Sequence, residues 1–377
     1  MTSNATAAVT LSALVALLFL ATPADAQVAT FEILHTDDFV GATLSADGNV
    51  VGISGASASG YAFARDLETG IGLFGTEGLG GATTPRISGD GSAAHGRVFE
   101  EPDEYYFYEN GSLTFLPGAT SFSPGGLSQN GSVIALTDSN RAALRMSGFG
   151  SPLQYLDAIP GTGAESAAVD VSASGAVAAG HVDTASGTSE LFRWTLTGGL
   201  SRLGQFGGNE RDTLAWAISA DGLTIVGSAS NPGSLHEGLA FRWQAGVFSA
   251  LGSLPGDETA LPFDVSGDGS RIVGSSGAGE FLRGGTAFLW DPHNGLRDMN
   301  VLLESLGIDL TNIVLEQASS ISADGRTIVG RGFESDELNR PIIWKAVIPP
   351  VPEPTTALLL GLGLIGLSSE RRREGRR

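Results

Sequence analysis

The chain of 377 residues has no cysteine and few basic side chains. The absence of cysteine excludes a disulfide framework and thiolate chemistry, so the folded protein must rely on core packing. Acidic residues number 41 against 21 basic ones, and Lys345 is the only lysine. This composition argues against nucleic-acid binding, which needs a basic surface. The net charge, formally −20 at pH 7, is typical of a soluble exported surface.

Long apolar runs are also rare, and both of them lie at the ends of the chain. Residues 11–20 are apolar, and Ala24 and Ala26 stand before Gln27 in the small-residue pattern of a signal-peptide cleavage site. Residues 1–10 carry no lysine or arginine, which departs from the usual positive start. We predict a signal peptide over residues 1–26, and therefore export.

The C-terminal tail combines three features in order. They are a Pro-Glu-Pro box, an uncharged apolar run and an arginine cluster: Pro352, Glu353 and Pro354; residues 355–367; and Arg371, Arg372 and Arg373. As a helix the run would span about 20 Å, short of the about 30 Å of a bilayer core. The arginines favour a cytoplasmic position for the chain end. The tail therefore predicts a short transmembrane helix that suits temporary anchoring.

This tail resembles the PEP-CTERM sorting signal of exported proteins in Gram-negative bacteria. The resemblance covers residues 352–377 and implies that an exosortase-type enzyme recognises and cuts the tail during export. It also implies a protein that is held transiently in the inner membrane and then reaches the cell surface or the medium. We assign residues 349–377 to a Pro-rich linker and this sorting segment.

One phrase recurs seven times between the two ends. An apolar strand runs into a Ser-x-Asp-Gly turn, in which Asn or Ser sometimes replaces Asp, and a second apolar strand follows. The turn glycines are Gly48, Gly91, Gly131, Gly175, Gly222, Gly269 and Gly325, at spacings of 40 to 56 residues. A near-constant period in this range predicts a repeat architecture. Asp or Asn followed by Gly is typical of tight hairpin turns.

Each copy continues with a third and a fourth strand. The third carries large side chains at alternate positions, as in the pairs Phe192/Trp194, Phe241/Trp243, Phe288/Trp290 and Ile342/Trp344. Four strands in about 46 residues is the size of a propeller blade. The alternation has a period of two, which argues against helical solenoids.

The two ends of the repeat region indicate how the ring closes. The last copy has no fourth strand before the prolines near residue 350, whereas residues 29–35 form a spare strand ahead of the first copy. Adding this strand to the last blade closes the ring and protects an exposed edge. We predict an all-β, seven-bladed β-propeller over residues 27–348, closed by the N-terminal strand and flanked by the signal peptide and the sorting helix.

The phrase and the aromatic strand after it resemble the HAF repeats of exported bacterial proteins. The resemblance spans most of the repeat region, is clearest over residues 189–344 and fades towards the N-terminus. There, Arg65, Tyr108 and Met146 occupy the tryptophan position. The resemblance implies a location at the cell surface and no known chemistry.

The longest spacing, between Gly269 and Gly325, contains a predicted short helix. Asn300 is the expected N-cap and Gly307 the expected end of the helix. Its apolar face comprises Met299, Leu302, Leu303 and Leu306. We expect this face to pack on the ring, with a partner-binding groove as the alternative.

Residues with catalytic or metal-binding potential are few and scattered. His95 and His181 end second strands, where they would either face a shared channel mouth or be solvated. The repeated turn carboxylates are interpreted as turn formers, since each turn offers at most one, too few for a calcium loop. We assign no catalytic, metal-binding or cofactor-binding residue, and we expect no cofactor.

One acidic and aromatic segment is a candidate ligand surface. Its residues are Glu101, Asp103, Glu104, Tyr105 and Tyr106. Rings stack on sugars and carboxylates bond sugar hydroxyls, so such a surface would suit a polysaccharide. The same residues would equally form an ordinary blade strand.

Three functions remain open at this stage. The first is an exported, surface-sorted, non-enzymatic propeller that binds exopolysaccharide or cell-surface proteins through its variable loops. The second is a polysaccharide lyase or glycoside hydrolase, with carboxylates from different blades meeting at the channel mouth. The third is a structural matrix component without a specific ligand.

Overall fold

The computed structural model describes residues 28–36, 39–55, 62–76, 82–99, 104–117, 122–147, 151–156, 165–208, 211–231, 238–277, 284–335 and 339–350. The repeat region forms one unit, Ala29–Val347. The other unit combines Met1–Val28 with Ile348–Arg377, and its few described residues are in neither helix nor strand. Among the described residues, no helix is long and apolar enough to cross a membrane. The cleavage residues Ala24, Ala26 and Gln27 and the sorting residues Pro352, Glu353, Pro354, Arg371, Arg372 and Arg373 lie outside the described ranges.

The described strands of the repeat unit form seven four-stranded antiparallel sheets, one for each repeat. Strand β1 (Thr30–Thr36) precedes the first complete blade. Blades 1 to 3 contain β2 (Phe39–Leu44), β3 (Val50–Gly55), β4 (Ala62–Asp66) and β5 (Gly72–Gly75); β6 (Arg86–Ile87), β7 (Ala93–Val98), β8 (Glu104–Glu109) and β9 (Ser112–Pro117); and β10 (Phe122–Leu127), β11 (Ile134–Asp138), β12 (Arg141–Arg145) and β13 (Leu153–Tyr155).

The remaining blades follow the same order along the chain. Blades 4 to 6 contain β14 (Ser166–Val171), β15 (Val177–Asp183), β16 (Ser189–Thr195) and β17 (Gly199–Gly204); β18 (Asp212–Ile218), β19 (Thr224–Ser230), β20 (Leu239–Gln244) and β21 (Val247–Ala250); and β22 (Ala260–Val265), β23 (Ile272–Ser276), β24 (Thr286–Asp291) and β25 (Gly295–Asp298). Blade 7 contains β26 (Ile313–Ile321), β27 (Thr327–Glu334) and β28 (Arg340–Val347). The seven-bladed β-propeller predicted from the repeats is confirmed.

The N-terminal strand completes the last blade, as predicted. Strand β1 pairs antiparallel with β28, in a register that runs from Thr30 opposite Val347 to Thr36 opposite Ile342. Leu34 of β1 is buried and packs in a cluster that contains Val329 of blade 7 and residues of blade 1. The last blade is therefore assembled from both ends of the repeat region, and this pairing closes the ring.

The Ser-x-Asp-Gly turns have the same hydrogen bonds in most blades. In blade 1, Ser45 Oγ donates to Asp47 Oδ1 at 2.5 Å, and the same oxygen accepts the N–H of Asn49 at 3.0 Å. Gly48 has a φ of +79°, a conformation that favours glycine. The turn carboxylates are thus bonded within their own turns, which confirms their interpretation as turn formers.

The seven turns are also linked to one another around the axis of the ring. Seven backbone hydrogen bonds of 2.6 to 3.1 Å run from blade to blade: Asp47 N to Gly89 O, Asp90 N to Gln129 O, Gln129 N to Ala173 O, Ala173 N to Ala220 O, Asp221 N to Gly267 O, Gly267 N to Ala323 O, and Ala323 N to Ala46 O. The last bond joins blade 7 to blade 1. This circle fixes the first strands of all seven blades around a central channel.

Inside five blades, a glycine of the second strand faces an aromatic ring of the third. The pairs are Gly96 with Tyr106, Gly180 with Phe192, Gly227 with Phe241, Gly274 with Phe288, and Gly330 with Trp344. The rings lie over the bare glycine backbone, an arrangement that compensates for the missing side chain. Each ring occupies space that a Cβ atom on the glycine would need.

This register corrects two of the sequence equivalences. Trp194 lies opposite the residue two positions before the strand glycine, whereas Trp344 lies opposite Gly330 itself. Trp344 therefore occupies the position of Phe192. In blade 3 it is Arg145, rather than Met146, that takes the tryptophan position, because Arg145 pairs with Ile134.

The predicted helix is present as α1 (Met299–Ser305) between blades 6 and 7, but its N-cap is Asp298. The Asp298 side chain accepts the N–H of Asn300. Asn300 instead uses its amide to bond both backbone groups of Leu315, at 3.2 and 2.8 Å, and so ties the helix to blade 7. Met299 and Leu303 are buried, in agreement with an apolar face that packs on the ring.

Candidate functional site

The first strands of all seven blades line a central cavity of about 140 Å³. One position in each repeat, two residues before the turn serine, supplies side chains of very different chemistry. Around the ring these residues are Thr43, Arg86, Gly126, Asp170, Ala217, Asp264 and Ser320. The channel thus combines two carboxylates and one guanidinium with small neutral residues.

A recurrent bulge in the first strand adds aromatic side chains to the channel wall. The register shifts between Ala215 and Ala217 in blade 5, and a similar shift occurs in blade 6. The bulged residues, Trp216 and Phe263, both line the cavity and form an edge-to-face pair with ring centroids 5.7 Å apart. Trp216 is oriented by its Nε1–H, which donates to Ser228 Oγ at 2.8 Å. Two adjacent rings therefore form one side of the channel.

Asp170 joins blade 4 to blade 5. Its Oδ1 accepts the N–H of Val171 at 2.8 Å, and its Oδ2 accepts the N–H of Ile218 in the next blade at 3.0 Å. Burial raises the pKa of the Asp170 carboxyl to about 7. The N–H of Ile218 opposes this rise, and the charge of Asp264 adds to it.

Asp264 has the corresponding position and role in blade 6. Its Oδ1 accepts the N–H of Val265 at 2.8 Å. Its Oδ2 accepts both the hydroxyl of Ser320 at 2.7 Å and the N–H of Ile321 at 2.8 Å, across to blade 7. Burial also raises the pKa of this carboxyl, although these donors oppose the rise. Each aspartate therefore bonds its own strand through Oδ1 and the next blade through Oδ2.

Gly126 makes room for Asp170 in the channel. A Cβ atom built on Gly126 would lie 1.7 Å from Asp170 Oδ1. Any side chain at this position would displace the carboxylate, so the neighbouring residues of blades 3 and 4 depend on one another.

Arg86 is the cationic residue of this ring of positions. It begins the short strand β6, and its side chain is exposed although it lines the cavity. The guanidinium lowers the pKa of Asp170 and of Asp264, so its charge acts on both. Within the described ranges, no hydrogen bond is formed by its guanidinium and no carboxylate lies within ion-pair distance of it.

The predicted acidic and aromatic ligand surface is not formed by the residues that the structure describes. Tyr105 and Tyr106 are fully buried in β8, and Glu104 at its start is half-buried. The Tyr106 hydroxyl donates to Thr83 O at 3.3 Å inside blade 2. The rings are covered because neighbouring blades pack on both faces of the sheet. Glu101 and Asp103 lie outside the described residues.

Of the two histidines considered for the channel mouth, His95 is fully buried and His181 is half-buried, and neither lines the cavity. His95 Nε2–H donates to Gly125 O of blade 3 at 2.7 Å, and the Tyr105 hydroxyl bonds its Nδ1. Burial lowers the pKa of His95 to about 3 and that of His181 to about 4. Both imidazoles are therefore neutral at pH 7, and His95 serves to join two blades.

Across the described part of the chain, no group of three or more histidine or acidic side chains is placed to hold a metal ion. The channel residues were missed by sequence reasoning because only one such residue occurs in each repeat. Alignment of the repeats on the turn serine would have revealed the position, since its residues differ widely in charge while their neighbours do not.

Comparisons with known proteins support two separate assignments, the sorting motif in the tail and the propeller fold of the repeat region. The PEP-CTERM protein-sorting motif matches residues 350–373. This motif indicates an exported protein that is anchored in the membrane and then processed. No curated protein matches the chain significantly.

Two solved structures share the propeller fold at low sequence identity. One is the β-propeller domain of Cps50 (Swd1) from Myceliophteria thermophila, at 12% identity and a TM-score of 0.50, covering 84% of this chain and 99% of that one. The other is hydrazine synthase from Kuenenia stuttgartiensis, at 12% identity and a TM-score of 0.51, covering 85% of this chain and 98% of that one. At this identity the likeness concerns the fold alone.

Proposed function

We propose that the protein is a surface-sorted recognition module that binds the exopolysaccharide of the producing cell without cleaving it. The observation that carries this proposal is the chemistry of the channel. Its wall offers an aromatic pair and an accessible guanidinium, whereas both of its carboxylates are engaged between blades. Aromatic rings and a few oriented polar groups are typical of sugar-binding sites.

The bonding of the carboxylates favours binding over hydrolysis. A glycosidase needs one carboxyl to protonate the leaving oxygen and a second to act as nucleophile or base. Asp170 and Asp264 each accept backbone N–H groups on both oxygens, and Asp264 accepts a hydroxyl as well. Either role would require a carboxyl to give up bonds that connect neighbouring blades.

A polysaccharide lyase or hydrolase is the second candidate, and one observation favours it. Burial raises the pKa of Asp170 to about 7, which places this carboxyl near the value that suits a general acid at neutral pH. Propellers can also bring catalytic residues together from distant parts of the sequence. Asp170 is the residue that would carry the reaction.

The sorting motif over residues 350–373 supports a role outside the cell. An exosortase-type enzyme is the expected partner during export, and the inner membrane holds the tail until processing. HAF-like repeats and a predicted signal peptide agree with this route. Exopolysaccharide is the proposed ligand because it is the polymer that a protein on this route meets at the surface.

Gel filtration of the mature protein with the exopolysaccharide of the producing cells tests the proposal. Co-elution with a polymer of unchanged length over hours is the expected result. A shortened polymer would replace the proposal with the enzymatic candidate, provided that Asp170→Asn abolishes the shortening. Separate elution with unchanged length would rule out both and direct attention to protein partners.

A further inference from the structure

The guanidinium of Arg86 is accessible in the channel and is available to bind a ligand. Its position in blade 2 corresponds to that of Asp170 in blade 4 and of Asp264 in blade 6. The two aspartates use this position to bond the next blade, but Arg86 makes no such bond within the described ranges. Its donors therefore remain available to a molecule in the channel. A planar guanidinium suits a carboxylate or a phosphate, which it can bind through two parallel hydrogen bonds.

The charge of the channel distinguishes between these two anions. Asp170 and Asp264 face the same cavity as Arg86, so a ligand bound at the guanidinium also experiences two acidic groups. A phosphate monoester, which carries nearly two negative charges at pH 7, would be repelled more strongly than a monoanionic carboxylate. The acidic groups of the channel therefore favour a carboxylate ligand over a phosphate.

The opposite part of the wall indicates what the rest of the ligand is. Trp216 and Phe263 lie three and four blades further along the ring than Arg86, which places them across the channel from it. Ser320 also lines the wall, and its hydroxyl donates to Asp264 Oδ2. Apolar ring faces beside polar groups fit the mixed surface of a sugar ring.

The size of the cavity limits how much of a polymer can enter. A volume of about 140 Å³ is well below the about 300 Å³ at which pockets for drug-sized ligands begin. Such a cavity suits a single small ring rather than a run of polymer.

We propose that the channel binds one uronic acid residue at the end of a polysaccharide chain, with its carboxylate on Arg86 and its ring against Trp216 and Phe263. This inference rests on the proposed function and makes it specific, because it assigns recognition to acidic chain ends. Binding per polymer molecule then depends on the number of ends and is independent of chain length.

Titration calorimetry of the mature protein with glucuronate tests this site, with glucose, acetate and glucose 6-phosphate as comparison ligands. Glucuronate should bind at least tenfold more tightly than each of the other three. Arg86→Ala should weaken glucuronate binding at least tenfold, and Arg86→Lys should recover only part of the loss. Arg202→Ala is the matched control, since Arg202 forms a surface ion pair with Glu190, and it should bind like the wild type.

Two results would overturn the inference: no binding of glucuronate by the wild type, or equal binding by Arg86→Ala and the wild type. Tighter binding of glucose 6-phosphate would overturn the choice of a carboxylate. Because Arg86 is exposed, its removal should leave the melting temperature almost unchanged, which separates loss of binding from loss of folding.

The polymer experiment then distinguishes this inference from the broader proposal. If Arg86→Ala no longer binds glucuronate but still co-elutes with the polymer, the polymer is recognised elsewhere, and only the assignment to chain ends fails. If the wild type binds glucuronate through Arg86 but never retains the polymer, the site stands and the proposed function fails.

Discussion

Single glycines determine how closely the strands of a blade can pack. Gly227 lies beneath the ring of Phe241, and a Cβ atom at this position would be 2.1 Å from Leu214 O and 2.6 Å from the ring. The carbonyl belongs to the bulged first strand and the ring to the third. Because Gly227 has no side chain, the bulged first strand and the ring of Phe241 can both pack closely against its backbone.

We expect Gly227→Ala to destabilise the protein by about 2–4 kcal/mol, because neither the carbonyl nor the buried ring can move aside freely. Gly72→Ala is the control, since nothing lies within 4 Å of a Cβ atom there, and it should change stability by less than about 0.5 kcal/mol. Urea denaturation of both variants measures the difference. Equal stabilities would show that the blade relaxes around the new methyl group.

Asp170 should make stability depend on pH in an unusual direction for a carboxylate. Its pKa is about 7 in the fold, against 3.8 for an unperturbed aspartate, so the folded state binds the proton more tightly. The contribution of Asp170 is then fully present below about pH 4 and is lost as the pH rises through about 7.

We therefore expect Asp170→Asn to lose less stability between about pH 5 and pH 8 than the wild type, by an amount on the order of a few kcal/mol. The variant should be less stable at low pH, since an amide cannot accept N–H bonds on both of its terminal atoms. Asp309→Asn, on the exposed surface, provides a control. Parallel stability-versus-pH curves for Asp170→Asn and the wild type would refute the raised pKa.

At the scale of elements, β1 is decisive because it is far in sequence from the blade that it completes. It covers the edge of β28, and Leu34 brings an apolar side chain into the cluster shared by blades 7 and 1. An uncovered β28 would expose a strand edge that pairs readily with other chains.

Leu34→Ala should cost about 2–4 kcal/mol, as expected for a buried leucine in a partly adaptable cluster. Glu32→Ala in the same strand should cost less than about 0.5 kcal/mol, because its ion pair with Lys345 is largely exposed on the glutamate side. Thermal unfolding of the two variants tests this. A similar loss for both would mean that β1 contributes through its backbone pairing alone.

At the scale of the whole molecule, the tail and the ring have separate tasks. The motif over residues 350–373 is the sorting signal for export, while the ring forms the channel. If processing depends on the Pro-Glu-Pro box, replacing Pro352, Glu353 and Pro354 by alanine should leave the tail attached.

Mass spectrometry of the cell-associated and released protein checks this prediction. The triple variant should retain Arg377 and stay in the membrane fraction, whereas the wild type should lose its tail. Replacement of Arg376 alone should have little effect and is the control. Detection of Arg377 in mature wild-type protein would argue against cleavage near the box.

The fold could be predicted well from the sequence because every blade is built on the same local sequence pattern of strand, turn and strand. The Ser-x-Asp-Gly turns use hydrogen bonds among near neighbours, so their residues reveal them directly. The closing strand was also predictable, since a repeat that lacks a strand at one end and has a spare at the other leaves few alternatives. The helix was predicted in its position, but its N-cap is Asp298 and not the predicted Asn300.

The site could not be predicted in the same way. Tyr105 and Tyr106 have the composition of a sugar-binding surface, yet packing between blades buries both rings. Arg86, Asp170 and Asp264 are far apart in sequence, and none belongs to a recognisable motif. These three residues come together only because each blade is rotated relative to the one before it. No local sequence pattern indicates that rotation.

The sequence by itself determined the seven repeats, their turns, the closing strand and the sorting tail, because each depends on residues close together or on the ends of a repeating series. Only the tertiary structure decided which side chains face the channel, which aromatic rings are covered and how far the pKa of Asp170 rises. These properties arise from residues of different blades brought around one axis, where burial and neighbouring charges act together on groups that are separate along the chain.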